Sequence, residues 1–169
     1  MKWFVVVMTL FISACQVTLP SADFDLNRDY SRYSTWQWHT QAFRYDDMSS
    51  EPLLEQRLKQ AIDNVMIQRG LTRQAPAQLW LQVTLSQKTY QDQYTTQLGG
   101  YWGGMGLYQT RTVEYPVHVI TLDLFDSQEQ RLVWRNRVEF LQDDHAHPSL
   151  RERRVYQRVQ TLLSQFPPR

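Results

Sequence analysis

The chain has 169 residues, 42% of them hydrophobic, with 18 Lys+Arg against 17 Asp+Glu and a formal net charge of +1. That length suits one domain, and the balanced charge gives no electrostatic case for a nucleic-acid partner. A single cysteine excludes an internal disulfide, so stability must come from a core rich in tryptophan, tyrosine and phenylalanine.

The start, Met1–Cys15, reads as an export signal. Lys2 supplies positive charge, Trp3–Ile12 an apolar centre, and Ser13-Ala14 the small residues that a signal peptidase needs. The apolar run is about half of the roughly 20 residues that cross a bilayer, so a transmembrane anchor is the weaker reading. Ile12-Ser13-Ala14-Cys15 resembles the lipobox of bacterial lipoproteins, in which the cysteine thiol accepts a diacylglyceryl group before cleavage. On this reading residues 1–14 are a signal peptide, 15–22 a lipidated N-terminus with a short tether, and 23–169 the folded domain. Several acyl chains hold a protein to a membrane almost permanently, whereas one chain is marginal. By the same resemblance, Gln16 in place of Asp after the cysteine implies the outer membrane, with the domain on its periplasmic face.

Asp23–Asn27 alternates as a short strand. Tyr30–His39 follows, with Trp36 and Trp38 two apart and therefore on one strand face. A pair of core-covering aromatics is the plainer expectation there, and a sugar-stacking platform the sharper one. Ser49-Ser50-Glu51-Pro52 signals a helix start. Leu54, Leu58, Ala61, Ile62 and Val65 recur at helical spacing, and Gly70 supplies the stop. Gln78–Gln91 alternates, with Leu79, Leu81, Val83 and Leu85 on one face. Gln109–Phe125 is a second long strand. Its apolar positions change phase between Val119 and Ile120, which predicts a bulge or bend near His118. Arg131–Leu141 returns as a strand. Ser149 and Glu152 predict a capping box, and Val155, Val159, Leu162, Leu163 and Phe166 the apolar stripe of a last helix before Pro167-Pro168. These elements predict a single α+β domain: an antiparallel sheet of about four to five strands with two helices packed on one face.

Taken in order along the chain, the lipobox, Asp23-Phe24-Asp25, Tyr33–Trp38, the 53–70 helix, a glycine–aromatic stretch, Thr121–Asp126, Leu132–Arg135 and Phe166-Pro167-Pro168 resemble the bacterial lipoproteins of unknown-function family 4136. The resemblance implies an α+β domain in the cell envelope and assigns no catalytic residue. Asn136 stands where that pattern would carry a small residue such as glycine.

Five of the six glycines fall between residues 99 and 106. Tyr101, Trp102, Met105, Leu107 and Tyr108 there offer apolar area on a permissive backbone, a candidate contact loop. No Gly-Lys-Ser/Thr follows, so it is not a phosphate loop. Arg151, Arg154 and Arg158 share a helical face and are candidates to meet anionic lipid head groups. Asp143, Asp144, His145 and His147 could approach a metal, but a solvated loop leading into the helix is the plainer expectation, and no metal or other cofactor is expected. A Gly-x-Ser-x-Gly elbow, a His-Glu-x-x-His helix and a Cys-x-x-Cys pair are absent from the sequence. The expectation is therefore a non-catalytic binding or envelope-assembly protein. Its partners would be the membrane, through the lipid, and an envelope protein. The alternative is a carrier of a small apolar or lipid ligand between sheet and helices.

Overall fold

The computed structural model describes residues 22–98, 107–141 and 146–168. In chain order these form β1 (Asp23–Phe24), a 3-10 turn (Tyr30–Arg32), β2 (Thr35–Asp46), α1 (Pro52–Gln68), β3 (Thr72–Arg73), β4 (Leu79–Leu98), β5 (Leu107–Asp126), β6 (Arg131–Leu141) and α2 (Pro148–Leu163). The sheet order is β1-β6-β5-β4-β2-β3.

The architecture is α+β, but the sheet has six strands and is mixed. β2 runs parallel to both β3 and β4, and the other neighbours are antiparallel. The cause is α1. A helix between two strands carries the chain back across one face, so the next strand enters in the original direction. β3 has two residues and no alternation for a sequence to display. No described helix is long and apolar enough to cross a membrane.

The helix-facing side of the sheet holds the core. Leu79, Leu81, Val83 and Leu85 of β4 meet Leu58, Ile62, Val65 and Met66 of α1 and Val155, Val159 and Leu162 of α2 in one buried cluster. Trp36, Trp134 and Phe166 are its largest fully buried side chains, with Trp134 and Phe166 edge to face at 5.4 Å. Trp36 and Trp38 share a face as expected. Trp36 is buried, while Trp38 is half-buried, donates to Asp63 Oδ1 at 3.2 Å and stacks on Phe43. Phe43 reaches that face because β2 bulges: Trp38 pairs with Leu81 and Phe43 with Val83. The intervening residues fold over the helix-free face, where the Gln41 carbonyl accepts from Gln82 Nε2 at 2.9 Å and His39 packs on Trp80.

The helix ends follow local chemistry with two departures. Gly70 has φ +83°, Gly70 N donates to Ile67 O and Leu71 N to Met66 O, the left-handed stop the glycine promised. At the start of α1 neither serine caps; Glu51 N donates to the Tyr45 hydroxyl at 3.3 Å. For α2 the N-cap is His147, whose Nδ1 accepts from Ser149 N, with Pro148 in the first turn, so the expected capping box does not form. Asn136 is buried and donates to the Leu162 carbonyl at 2.7 Å, satisfying one of the open carbonyls at the end of α2. A smaller residue would leave that carbonyl without this partner.

Candidate functional site: a projecting β-ribbon

β4 and β5 are each 20 residues long and stay in one unbroken antiparallel register from Leu79↔Asp126 to Leu98↔Leu107. Their neighbours are shorter. β2 stops at Asp46, opposite Ser86, and β6 stops at Leu141, opposite Val117. From Thr89↔Pro116 outward β4 and β5 continue as a two-stranded ribbon, with no third strand among the described residues.

The sequence marks this point. Helix-facing positions of β4 are Leu79, Leu81, Val83 and Leu85, then Gln87, Thr89, Gln91, Gln93 and Thr95. Apolar residues stop where the helices stop. Thr, Tyr and Val keep the strands extended because they fit a pleated surface. The expected bulge at His118 is not there, since β4–β5 pairing passes through Gln87↔His118 without a shift. The phase change has another cause. Ile120, Leu122 and Leu124 face the helices, while Val113, Tyr115, Val117 and Val119 lie on the opposite face.

At its base the ribbon is clamped. Glu139 of β6 accepts from Lys88 Nζ at 2.8 Å and from the Tyr90 hydroxyl at 2.7 Å. The Lys88 and Tyr90 bonds hold the Glu139 carboxyl below its ordinary range, and the bond to Glu139 raises the Tyr90 phenol. Tyr90 stacks on Tyr115 at 6.1 Å with 19° between the planes. Further out, Gln91 Nε2 donates to Glu114 at 2.6 Å and the Thr95 and Thr110 hydroxyls meet at 3.2 Å. Tyr90, Tyr94 and Tyr108 are exposed, Tyr108 at 71%.

The described part of the candidate contact loop is therefore the end of this ribbon. Leu107 opens β5 opposite Leu98, and Tyr108 presents its ring to solvent. Tyr101, Trp102 and Met105 lie outside the described residues, as do Cys15, Asp143, Asp144 and His145. Of the arginine face, Arg151 Nε donates to the Ala146 carbonyl at 2.9 Å, Arg154 is half-buried, and the Arg158 guanidinium lies 3.9 Å over the Phe140 ring. Burial lowers the Arg158 pKa, with Arg154 adding to the effect. Arg158 thus spends its charge against the sheet through a cation–π contact. His147 is occupied as a helix cap. Among the described residues no three His, Cys, Asp or Glu side chains gather as metal ligands.

Sequence reading missed a polar network at the opposite end of the sheet. Asp126, 3% exposed, accepts from Arg28 Nη1 at 2.9 Å, Arg32 Nη2 at 2.5 Å, the Tyr33 hydroxyl at 2.8 Å and the amides of Gln128 and Glu129. Burial pushes its pKa up, but these bonds outweigh it and bring the value down to about 2. Buried Asp123 is held by Arg135 through two bonds of 2.6 and 2.8 Å. The available signal was the turn sequence Asp126-Ser127-Gln128-Glu129 opposite Arg28 and Arg32, four residues apart. These buried acids are neutralised by partners on other elements, as in structural ion pairs.

The model of a family described as "Domain of unknown function (DUF4136)" matches residues 20–168. No curated protein matches the chain. Among solved structures, the chain is similar to a PDZ domain protein from Parabacteroides distasonis, with a TM-score of 0.55 and 13% identity over 89% of this chain. It spans only 36% of that protein. It is also similar to the PelC dodecamer from Paraburkholderia phytofirmans, with a TM-score of 0.50 and 14% identity over 88% of this chain and 99% of the other. At such identities the likeness concerns the fold alone.

Proposed function

This chain belongs to the DUF4136 family, and on that premise we propose that it is a bacterial lipoprotein of the outer membrane that works by binding rather than by catalysis. Acylated Cys15 anchors it on the periplasmic side, and the β4–β5 ribbon presents the surface that an envelope partner meets. The observation that carries the reading is the ribbon itself. A free two-stranded hairpin is marginal in water, yet here Thr89–Leu98 and Leu107–Pro116 extend past every other described element with exposed tyrosines. Tyrosine offers a large, stiff, amphipathic contact area at low entropic cost. A non-catalytic role is supported by the buried ionisable groups described above, which pair with one another instead of converging on a cleft. Carriage of an apolar ligand between sheet and helices has less support. Trp36, Leu58, Ile62, Leu81, Leu122 and Val159 are 0% exposed and fill that space.

A photo-crosslinking residue at position 108, in living cells, tests the contact role. A specific adduct to an envelope protein is expected from Tyr108 and not from Arg44, which lies on the body of the domain. Equal yields from both positions, or none from Tyr108, reject it. Cys15→Ser tests the anchor separately: the variant should lose lipid labelling and leave the membrane pellet.

A further inference from the structure

Among the described residues both edges of the ribbon are unpaired, and they differ. Edge strands expose unpaired amides and carbonyls that template further pairing, and proteins guard them with proline, charge or bulges. The β5 edge is interrupted: Pro116 lacks an amide where β6 leaves off. The β4 edge from Gln87 to Leu98 has no proline, no glycine and no bulge, and like the β5 edge it carries one cation and one anion, Lys88 and Asp92. We infer that this edge pairs antiparallel with the same edge of a second copy of the chain, about a two-fold axis at Gln93.

Three constraints give the register. First, β2 occupies the edge as far as Ser86, so a second β4 can lie only beside Gln87–Leu98. The midpoint of that run falls between Asp92 and Gln93. Second, residues facing one another across an antiparallel pair share a sheet face, and a two-fold axis normal to the sheet preserves the face. The axis must therefore pass through a residue, not between two. Third, an axis at Asp92 would set two aspartates opposite each other, which destabilises. An axis at Gln93 sets Gln93 against Gln93, Asp92 against Tyr94, Gln91 against Thr95 and Tyr90 against Thr96 of the second copy. No like charges meet, and the tip of each ribbon reaches the base of the other. The product is a four-stranded sheet, β5-β4-β4-β5, which relieves the isolation of the hairpin.

This inference rests on the ribbon being a contact element, and it names a second copy as one partner. It is tested on the full-length protein in detergent. Gln93→Cys should form a disulfide-linked dimer on oxidation, because facing residues lie within disulfide reach. Gln91→Cys should not, since its counterpart sits four residues along the partner strand. The unsubstituted protein controls for Cys15. In sedimentation velocity, Gln93→Lys and Gln93→Glu should each weaken self-association about fivefold, and an equimolar mixture should restore it. Gln109→Lys, on β5 opposite Thr96, should change nothing. A protein that stays monomeric at all concentrations, or crosslinking through position 91 in place of 93, overturns the inference. If Tyr108 still captures an envelope protein in that case, the broader reading survives and self-pairing alone fails.

Discussion

The two halves of the β4–β5 pair share strands, register and hydrogen-bond pattern, yet they live in different surroundings. In one half Leu79, Leu81, Ile120, Leu122 and Leu124 are 0% exposed beneath the helices. In the other, residues 87–96 and 108–112 are all exposed. Backbone pairing is common to both, so it cannot be what makes one half core and the other surface. The helices make that difference, and they cover only the length over which the strand supplies apolar residues to meet them.

Substitutions should break this comparison in order of size. Leu122→Ala, in the covered half, should cost about 2–5 kcal/mol in urea denaturation, because the cavity it leaves cannot collapse. Asp126→Asn, at the covered end, should cost about 2 kcal/mol at neutral pH, the worth of a carboxyl lowered from 3.8 to about 2. The sign follows from that lowering. The ionised carboxylate stabilises the fold fully above about pH 4, and the contribution is lost as pH falls toward 2. Acid titration of stability in that window should be flatter in the variant. Tyr115→Ala, which unstacks Tyr90 at the ribbon base, should cost about 0.5–1.5 kcal/mol. Tyr94→Ala, in the free half, should stay within about 0.5 kcal/mol while still reporting on binding. A loss at Tyr94 comparable to that at Leu122 would mean that the ribbon is part of the core after all.

Much of this division could be read from residues alone. Leu58, Ile62 and Val65 announced α1, and Gly70 announced its end. Trp36 and Trp38 cover the core, as their two-residue spacing implies. The inversion of phase along β5 was visible but misattributed: it reads as a bulge if one face is assumed buried throughout, and as a ribbon if the cover is allowed to end. The parallel β2–β4 pairing was implied by strand, helix, strand, but two-residue β3 left no pattern and antiparallel pairing was assumed. The His147 cap was hidden because serine is the commoner N-cap. The Asp126 network joins residues more than 90 positions apart, which spacing cannot reveal. For the candidate contact residues, the sequence identified apolar area, while the structure places Leu107 and Tyr108 at the start of β5.

The clamp at Glu139 has a mechanical consequence. From Lys88 to Leu98 the ribbon is about 34 Å long at the usual rise of a strand. It is a lever arm, and Glu139 sits at its fulcrum with Lys88 and Tyr90 in its grip. At that length, a tilt of about 10° at the base sweeps the far end through about 6 Å, more than one strand spacing. A carboxylate on β6 thus helps to set the direction in which the far end points.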